Sequence, residues 1–513
     1  MLVHDFLINS AVRFPEKTAL VCGAHKYTYA QLDKLTDRLA HGLIERGVRR
    51  GDRVVVYLGN SLESVLSIFA VLKAGAVFVP VNPTAKRDKV LFILRRCGAC
   101  AIFMDARSAK LVHEIRTDVP SVRTFVLSGN DADAIAAREA CCTLDSLVNS
   151  VAALPPPRIN IDLDLACLIF TSGSTGEPKG VTCGHDNVVF AAGSIISYLK
   201  GSPDDVVINV LPLSFDYGLY QLLMTFRLGA TLVLETSFAF PATFLKRMEE
   251  ERVTGLPGVP TIFAMLVQMD LSQYDLSGLR YLTNTGAALA PAHIEILRQK
   301  FPKAALYSMY GLTETKRTLY LPPDQLDKRP GSVGIAIPGT EVWLEDASGK
   351  RLGPGETGEL VIRGRHVMRG YWEDAEATAA RYRPGEIPGD RVCVSGDIFR
   401  TDSEGYFYFV GRKDDIIKSR GEKVAPKEVE NVLYALKGVS HAAVIGVPDA
   451  IMGQAIKAVL VCNDATITET RVLAHCRANL EDFMVPKYVE FRTEMPLTQS
   501  GKIKKSALDP CAA

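Results

Sequence analysis

The segment at residues 171–180, TSGSTGEPKG, crowds hydroxyls, three glycines and a lysine into ten residues directly after an apolar run, ACLIF. Glycines allow backbone amides to approach phosphate oxygens, hydroxyls add donors, and Lys179 adds positive charge. That composition at the end of a buried strand suits a polyphosphate better than it suits an idle surface loop. It is not a Walker A loop, because Pro178 stands where that motif needs glycine before its lysine. Gly353, Gly355 and Gly358 match the spacing GxGxxG, but the strand-like ELVIRG follows where a dinucleotide site needs a helix, so a hairpin turn is expected. Cys97 and Cys100 form a lone CxxC with no second ligand pair nearby, which points to packing and not to zinc.

At this loop the chain resembles the AMP-forming adenylate enzymes, a superfamily of acyl-CoA synthetases and the adenylation domains of peptide synthetases. Further segments follow in the family's order: YGLTET at 310–315, SGD at 395–397, GRKDDIIKSRGE at 411–422 and SGK at 500–502. KYTYAQL and LKAGAVFVPVNP are also similar, so the resemblance spans essentially the whole chain. It implies that Thr171, Ser172, Gly173, Ser174, Thr175, Gly176 and Lys179 hold the ATP phosphates. Tyr310 would offer an aromatic face to adenine, Thr313 a hydroxyl to the α-phosphate, and Glu314 a hard oxygen to Mg²⁺. Gly286 and Ala287 would lay backbone against adenine, while Asp397 and Arg412 would reach the ribose. Ser395, where threonine is frequent in the family, is a mild departure.

Lys502 matches the lysine that bridges the acid's carboxylate and the α-phosphate. By itself, a lysine in a terminal KIKK run reads as a solvated tail residue. The resemblance further implies that a small domain swings about Asp414 after adenylation, bringing Gly421 to the path of a thiol. The expected activity is that of an acid–thiol ligase with ATP and Mg²⁺ as cofactors. It joins a carboxylic acid to CoA or, alternatively, loads an amino acid or acyl group onto the phosphopantetheine of a separate carrier protein. A nucleotide-binding scaffold without catalysis is a remote third reading, which retention of Lys502, Glu314, Asp397 and the loop argues against.

The resemblance implies that the segment LPLSFDYGLY at 211–220 lines the acid pocket. Many acyl-CoA synthetases carry histidine where Phe215 stands, whereas amino-acid adenylation domains carry a Phe-Asp pair, as in Phe215-Asp216. Asp216 either anchors a substrate ammonium or pairs with a protein cation, and the sequence leaves both open. Tyr217, Tyr220, Thr283, Thr285 and Met309 complete the expected wall, or pack as ordinary core. Arg317, beside Lys316, is unusual near a pocket and suits either substrate or phosphates.

The elements that must position these residues read as α/β. Apolar β-branched runs alternate with helical patterns, as in DRVVVYLG, ESVLSIFAVLKAG and AVFVPVNP, which predicts buried sheets. Residues 65–81 read as a buried helix and a strand, not a membrane span. Short strands joined by glycine turns predict a β-rich subdomain at about 335–411 within a large unit, 1–411. A small mobile α+β unit is expected over 412–513. With 47% hydrophobic and 23% charged residues and a net charge of +1, the 513-residue chain has no global field for nucleic acid or an anionic membrane. An amino terminus without a signal-peptide pattern and eleven scattered cysteines suggest reduced thiols in the cytoplasm.

Overall fold

The computed structural model describes residues 1–149, 154–172, 177–413, 415–419, 422–449, 453–480, 482–498 and 501–508. Three sheets organise the α/β chain. In the first, strands Arg53–Tyr57, Val77–Pro80, Ala101–Asp105 and Thr124–Ser128 run parallel, and the hairpin Leu165–Ser172 with Pro178–Gly184 closes one edge. The second is a continuous 14-stranded sheet. Its parallel half includes Val206–Asn209, Thr231–Leu234, Gly255–Gly258, Tyr281–Asn284 and Ala305–Tyr310.

Strands Leu319–Leu321 and Ser332–Ala336 then switch that sheet to antiparallel pairing, which continues through Phe407–Arg412, Arg391–Thr401, Thr357–Gly364 and Thr340–Glu345. The β-rich texture expected at 335–411 is therefore hydrogen-bonded edge to edge with the parallel half, and not a detached sheet. Gly353, Gly355 and Gly358 fall where Thr340–Glu345 turns into Thr357–Gly364, with Gly355 at φ +86°, as a hairpin requires. The third sheet is five-stranded and lies wholly beyond residue 416, with helices Pro426–Ala435 and Glu469–Asn479.

Helix Leu62–Lys73 is buried at every position from Ser64 onward, which explains why its sequence is apolar around its whole circumference. Phe69 on this helix stacks on Phe226 of helix Asp216–Leu228, with ring centroids 5.3 Å apart. One large core thus joins the first and second sheets and fixes the helix that carries Phe215-Asp216. Cys97 and Cys100 are buried in a second core as free thiols. No cluster of three or more potential metal-binding side chains occurs among the described residues. No helix among them is long and apolar enough to cross a membrane.

Candidate active site

Gly286, Ala287 and Tyr310 sit at the carboxyl ends of parallel strands, where open α/β sheets leave a crevice, whereas Thr171, Lys179, Asp397 and Arg412 lie on antiparallel strands. Strand Tyr281–Asn284 delivers Thr285, Gly286 and Ala287, and the Asn284 amide donates to the Ala287 carbonyl at 3.0 Å. Strand Ala305–Tyr310 delivers the YGLTET turn. Gly311 is obligatory there, because a Cβ would lie 1.7 Å from the Lys316 carbonyl oxygen. The hairpin pairs Thr171 with Lys179, and the Thr171 hydroxyl donates to the Lys179 carbonyl at 3.4 Å. Gly173, Ser174, Thr175 and Gly176 lie outside the described residues, as do the Ser172 side chain, Asp414 and Gly421.

The Lys179 ammonium lies 5.6 Å from the ring centroid of Tyr371. The Tyr371 hydroxyl donates to Glu314 Oε1 at 2.5 Å, gathering a cation, a phenol and a buried carboxylate beside the half-buried Thr313. Tyr371 escaped the sequence reading. Its signal was the turn in RGYWED, where Gly370 adopts φ +111° and a Cβ would strike Thr378.

Tyr310 packs edge-on against Phe399, and its hydroxyl donates to Asp397 Oδ2 at 2.6 Å. The other oxygen, Oδ1, is buried without a hydrogen bond among the described residues, and Arg412 Nε approaches it to 3.6 Å. Burial raises the Asp397 carboxyl above its ordinary range, opposed by Tyr310, Arg412 and Arg381. An acceptor left unsatisfied at this place suits a ligand hydroxyl.

Lys502 is held by its own turn: its amide donates to Thr498 Oγ1 at 3.1 Å, and Thr261 anchors the preceding Gly501 carbonyl at 3.3 Å. The ammonium lies 5.9 Å from the Phe215 ring centroid, and a Cβ on Gly286 would come within 3.2 Å of Lys502 Cε. A residue from the far end of the chain therefore meets the nucleotide and acid segments. Burial and Arg412 lower its proton affinity below that of an ordinary lysine, while Asp216, Asp397 and Glu314 oppose the shift. Its positive charge is consequently lost at a lower pH than usual.

Around the expected acid pocket, Phe215 and Tyr217 meet at right angles with centroids 6.2 Å apart. The Tyr217 hydroxyl donates to the Thr283 carbonyl at 2.7 Å, Thr285 is buried nearby in sequence, and Met309 Sδ lies 2.9 Å from the Tyr198 hydroxyl. Asp216 pairs with Lys316 at 3.8 Å, both side chains being buried, and the Lys316 ammonium also lies 5.9 Å from the Tyr220 ring. Asp216 thus stands within ion-pair distance of a protein cation.

Comparison with known proteins decides the family. The family model described as AMP-binding enzyme matches residues 7–372, and that described as AMP-binding enzyme C-terminal domain matches 428–502. The chain belongs to the AMP-binding enzymes. It is 36% identical over 505 residues to a feruloyl-CoA synthase of Amycolatopsis sp, covering 97% of this chain and 96% of that one. It is 31% identical to a long-chain-fatty-acid–CoA ligase of Bacillus subtilis (strain 168), covering 99% and 94%. The crystal structure of the anthranilate CoA ligase AuaEII in complex with anthranoyl-AMP superposes with a TM-score of 0.91 at 27% identity, covering 99% and 96%. This AMP-binding enzyme is an ATP-dependent, AMP-forming acyl-CoA synthetase, so its substrates are a carboxylic acid, ATP and CoA.

Proposed function

We propose that Lys502, Thr313 and Glu314 form the adenylation machinery of this synthetase. In this reading a carboxylate oxygen bonds to the α-phosphorus while the bond to the β-phosphate breaks and pyrophosphate leaves. Two anions must meet, so the protein's task is positioning and charge compensation, and no general base is needed. Lys502 bridges the carboxylate and the α-phosphate, Thr313 donates to the latter, and Lys179 with the 171–176 loop takes the departing phosphates. Asp397 accepts from the ribose through Oδ1, and Gly286 and Ala287 flank the adenine.

Glu314, a buried hard carboxylate, would hold a Mg²⁺ ion. When bound, that ion neutralises phosphate charge. Tyr371 orients the carboxylate that would hold it.

In the second half-reaction, a thiolate attacks the acyl carbonyl and AMP leaves with the bridging oxygen. Residues 412–513 are proposed to rotate about Asp414, withdrawing Lys502 and bringing Gly421 to the thiol's path. An amino acid is disfavoured as the acid, because Lys316 already engages the carboxylate that would hold its ammonium.

The observation that carries the proposal is the convergence of Lys502 on Gly286 and Phe215. With the acid that gives the wild type its greatest pyrophosphate exchange, Lys502→Ala should lower exchange by about 10²–10³-fold. Thioester formation from supplied acyl-adenylate should stay near the wild-type rate. Undiminished exchange in the variant removes Lys502 from the mechanism.

A further inference from the structure

Arg317 is 97% buried in its surroundings, with a relative exposure of 3%, yet Nε and Nη2 have no hydrogen-bond partner among the described residues. Its guanidinium lies over the Tyr217 ring at 4.3 Å from the centroid. Tyr217 cannot supply the missing anion. Burial pushes its hydroxyl up to about 12, with Arg317 acting in the opposite sense, and the hydroxyl is already bonded to Thr283. Burial likewise raises the nearby Tyr198 hydroxyl, so it too stays neutral.

The adjacent Lys316 ammonium likewise lacks a hydrogen bond among the described residues, but it has a carboxylate within ion-pair distance. Lys316 has φ +58°, a left-handed backbone that sends consecutive side chains apart. The Lys316 ammonium lies 3.8 Å from Asp216 and faces the Tyr220 ring, whereas the Arg317 guanidinium lies over the Tyr217 ring. The Asp216–Lys316 pair is neutral as a unit, so one positive charge is left over beside the expected acid pocket. A buried guanidinium without an anion is costly and is retained where a ligand completes it. Lys179, Tyr371 and Glu314 gather where the phosphates are expected, whereas Arg317 packs on Tyr217, whose ring meets Phe215 of the expected acid pocket.

We infer that Arg317 binds a second, distal carboxylate of the acid, so that the preferred substrates are dicarboxylic acids activated at one end only. The inference rests on the adenylation reading for the position of the reacting end, at Lys502. Successive contacts connect Lys502 with Phe215, Phe215 with Tyr217 and Tyr217 with Arg317, so the two cations sit at the two ends of this run of contacts, one for each carboxylate. A planar guanidinium donates two parallel hydrogen bonds to a carboxylate, which would satisfy the orphaned donors together.

The test compares matched acids: C4–C8 aliphatic diacids and benzene dicarboxylates, the monoacids of equal length, and the ω-hydroxy acids. Pyrophosphate exchange is measured for the wild type, Arg317→Met and Arg317→Lys. Protection from thermal unfolding by each acid without ATP is read in parallel. The wild type should favour diacids over monoacids by at least about 100-fold in kcat/KM. Arg317→Met should abolish that preference by lowering kcat/KM for diacids far more than for monoacids, mainly through KM, and Arg317→Lys should restore part of it. Thermal protection by diacids should vanish in Arg317→Met.

Equal or better use of monoacids or hydroxy acids by the wild type, with a ratio unchanged in Arg317→Met, overturns the inference while leaving adenylation intact. Diacid protection that depends on Arg317, without exchange for any acid, supports this anchor and refutes the adenylation reading instead.

Discussion

Two buried cations show opposite solutions to the same electrostatic problem. Lys73, on the helix between the sheets, places its ammonium 2.6 Å from Asp33 Oδ1, 2.7 Å from Asp37 Oδ1 and 3.1 Å from the Asp33 carbonyl, using all three donors. Arg317 is as deeply buried but has orphaned donors and no ion pair among the described residues. The first arrangement is complete in the free protein and has a structural part to play. The second is completed only by something that arrives. Charge alone therefore does not mark a functional residue in this fold; incomplete neutralisation of a buried charge is the sharper sign.

The largest test of that contrast removes Lys73. Lys73→Met leaves Asp37 buried without its cation and should lower the unfolding free energy by about 3–5 kcal/mol. Activity per folded molecule should be unchanged, and chemical denaturation alongside exchange kinetics reads both. A selective loss of turnover without loss of stability would break the comparison. An intermediate effect is expected from Tyr310→Phe, which deletes the 2.6 Å bond to Asp397. Loss of one hydrogen bond to a charged group should cost about 1.5–3 kcal/mol, read as a raised KM for ATP in exchange assays. The smallest effect is on stability in Arg317→Met. Since no protein anion is abandoned, the unfolding midpoint should stay level or rise slightly. A loss comparable with that of Lys73→Met would show that Arg317 has a structural partner after all.

The nucleotide side was legible in the sequence because its residues lie in short contiguous motifs at the ends of strands. Tyr310, Thr313 and Glu314 occupy one turn, and Gly286 follows its strand directly. What the motif did not convey was the Tyr310 hydroxyl's hold on Asp397, since those residues are 87 positions apart. Tyr371 was missed for the same reason, being 57 positions from the carboxylate it orients.

The acid side was less legible. Asp216 and Tyr220 are one helical turn apart and both lie near Lys316, while Tyr217 is rotated away toward Thr283 and Arg317. Whether Asp216 meets a substrate or a lysine depends on the left-handed backbone at Lys316, which no periodicity reveals. The fold class followed from the alternation of strands and helices. Continuity of the antiparallel strands with the parallel half did not, because it depends on Leu319–Leu321, a three-residue strand.

The central claim is that a carboxylate oxygen of the acid attacks the α-phosphorus of ATP. It is tested most directly by turning over an acid labelled with oxygen-18 in its carboxylate, with ATP and CoA, and weighing the products. The account predicts AMP carrying a single labelled oxygen and pyrophosphate carrying none. Label in pyrophosphate or orthophosphate, or AMP without label, would contradict it.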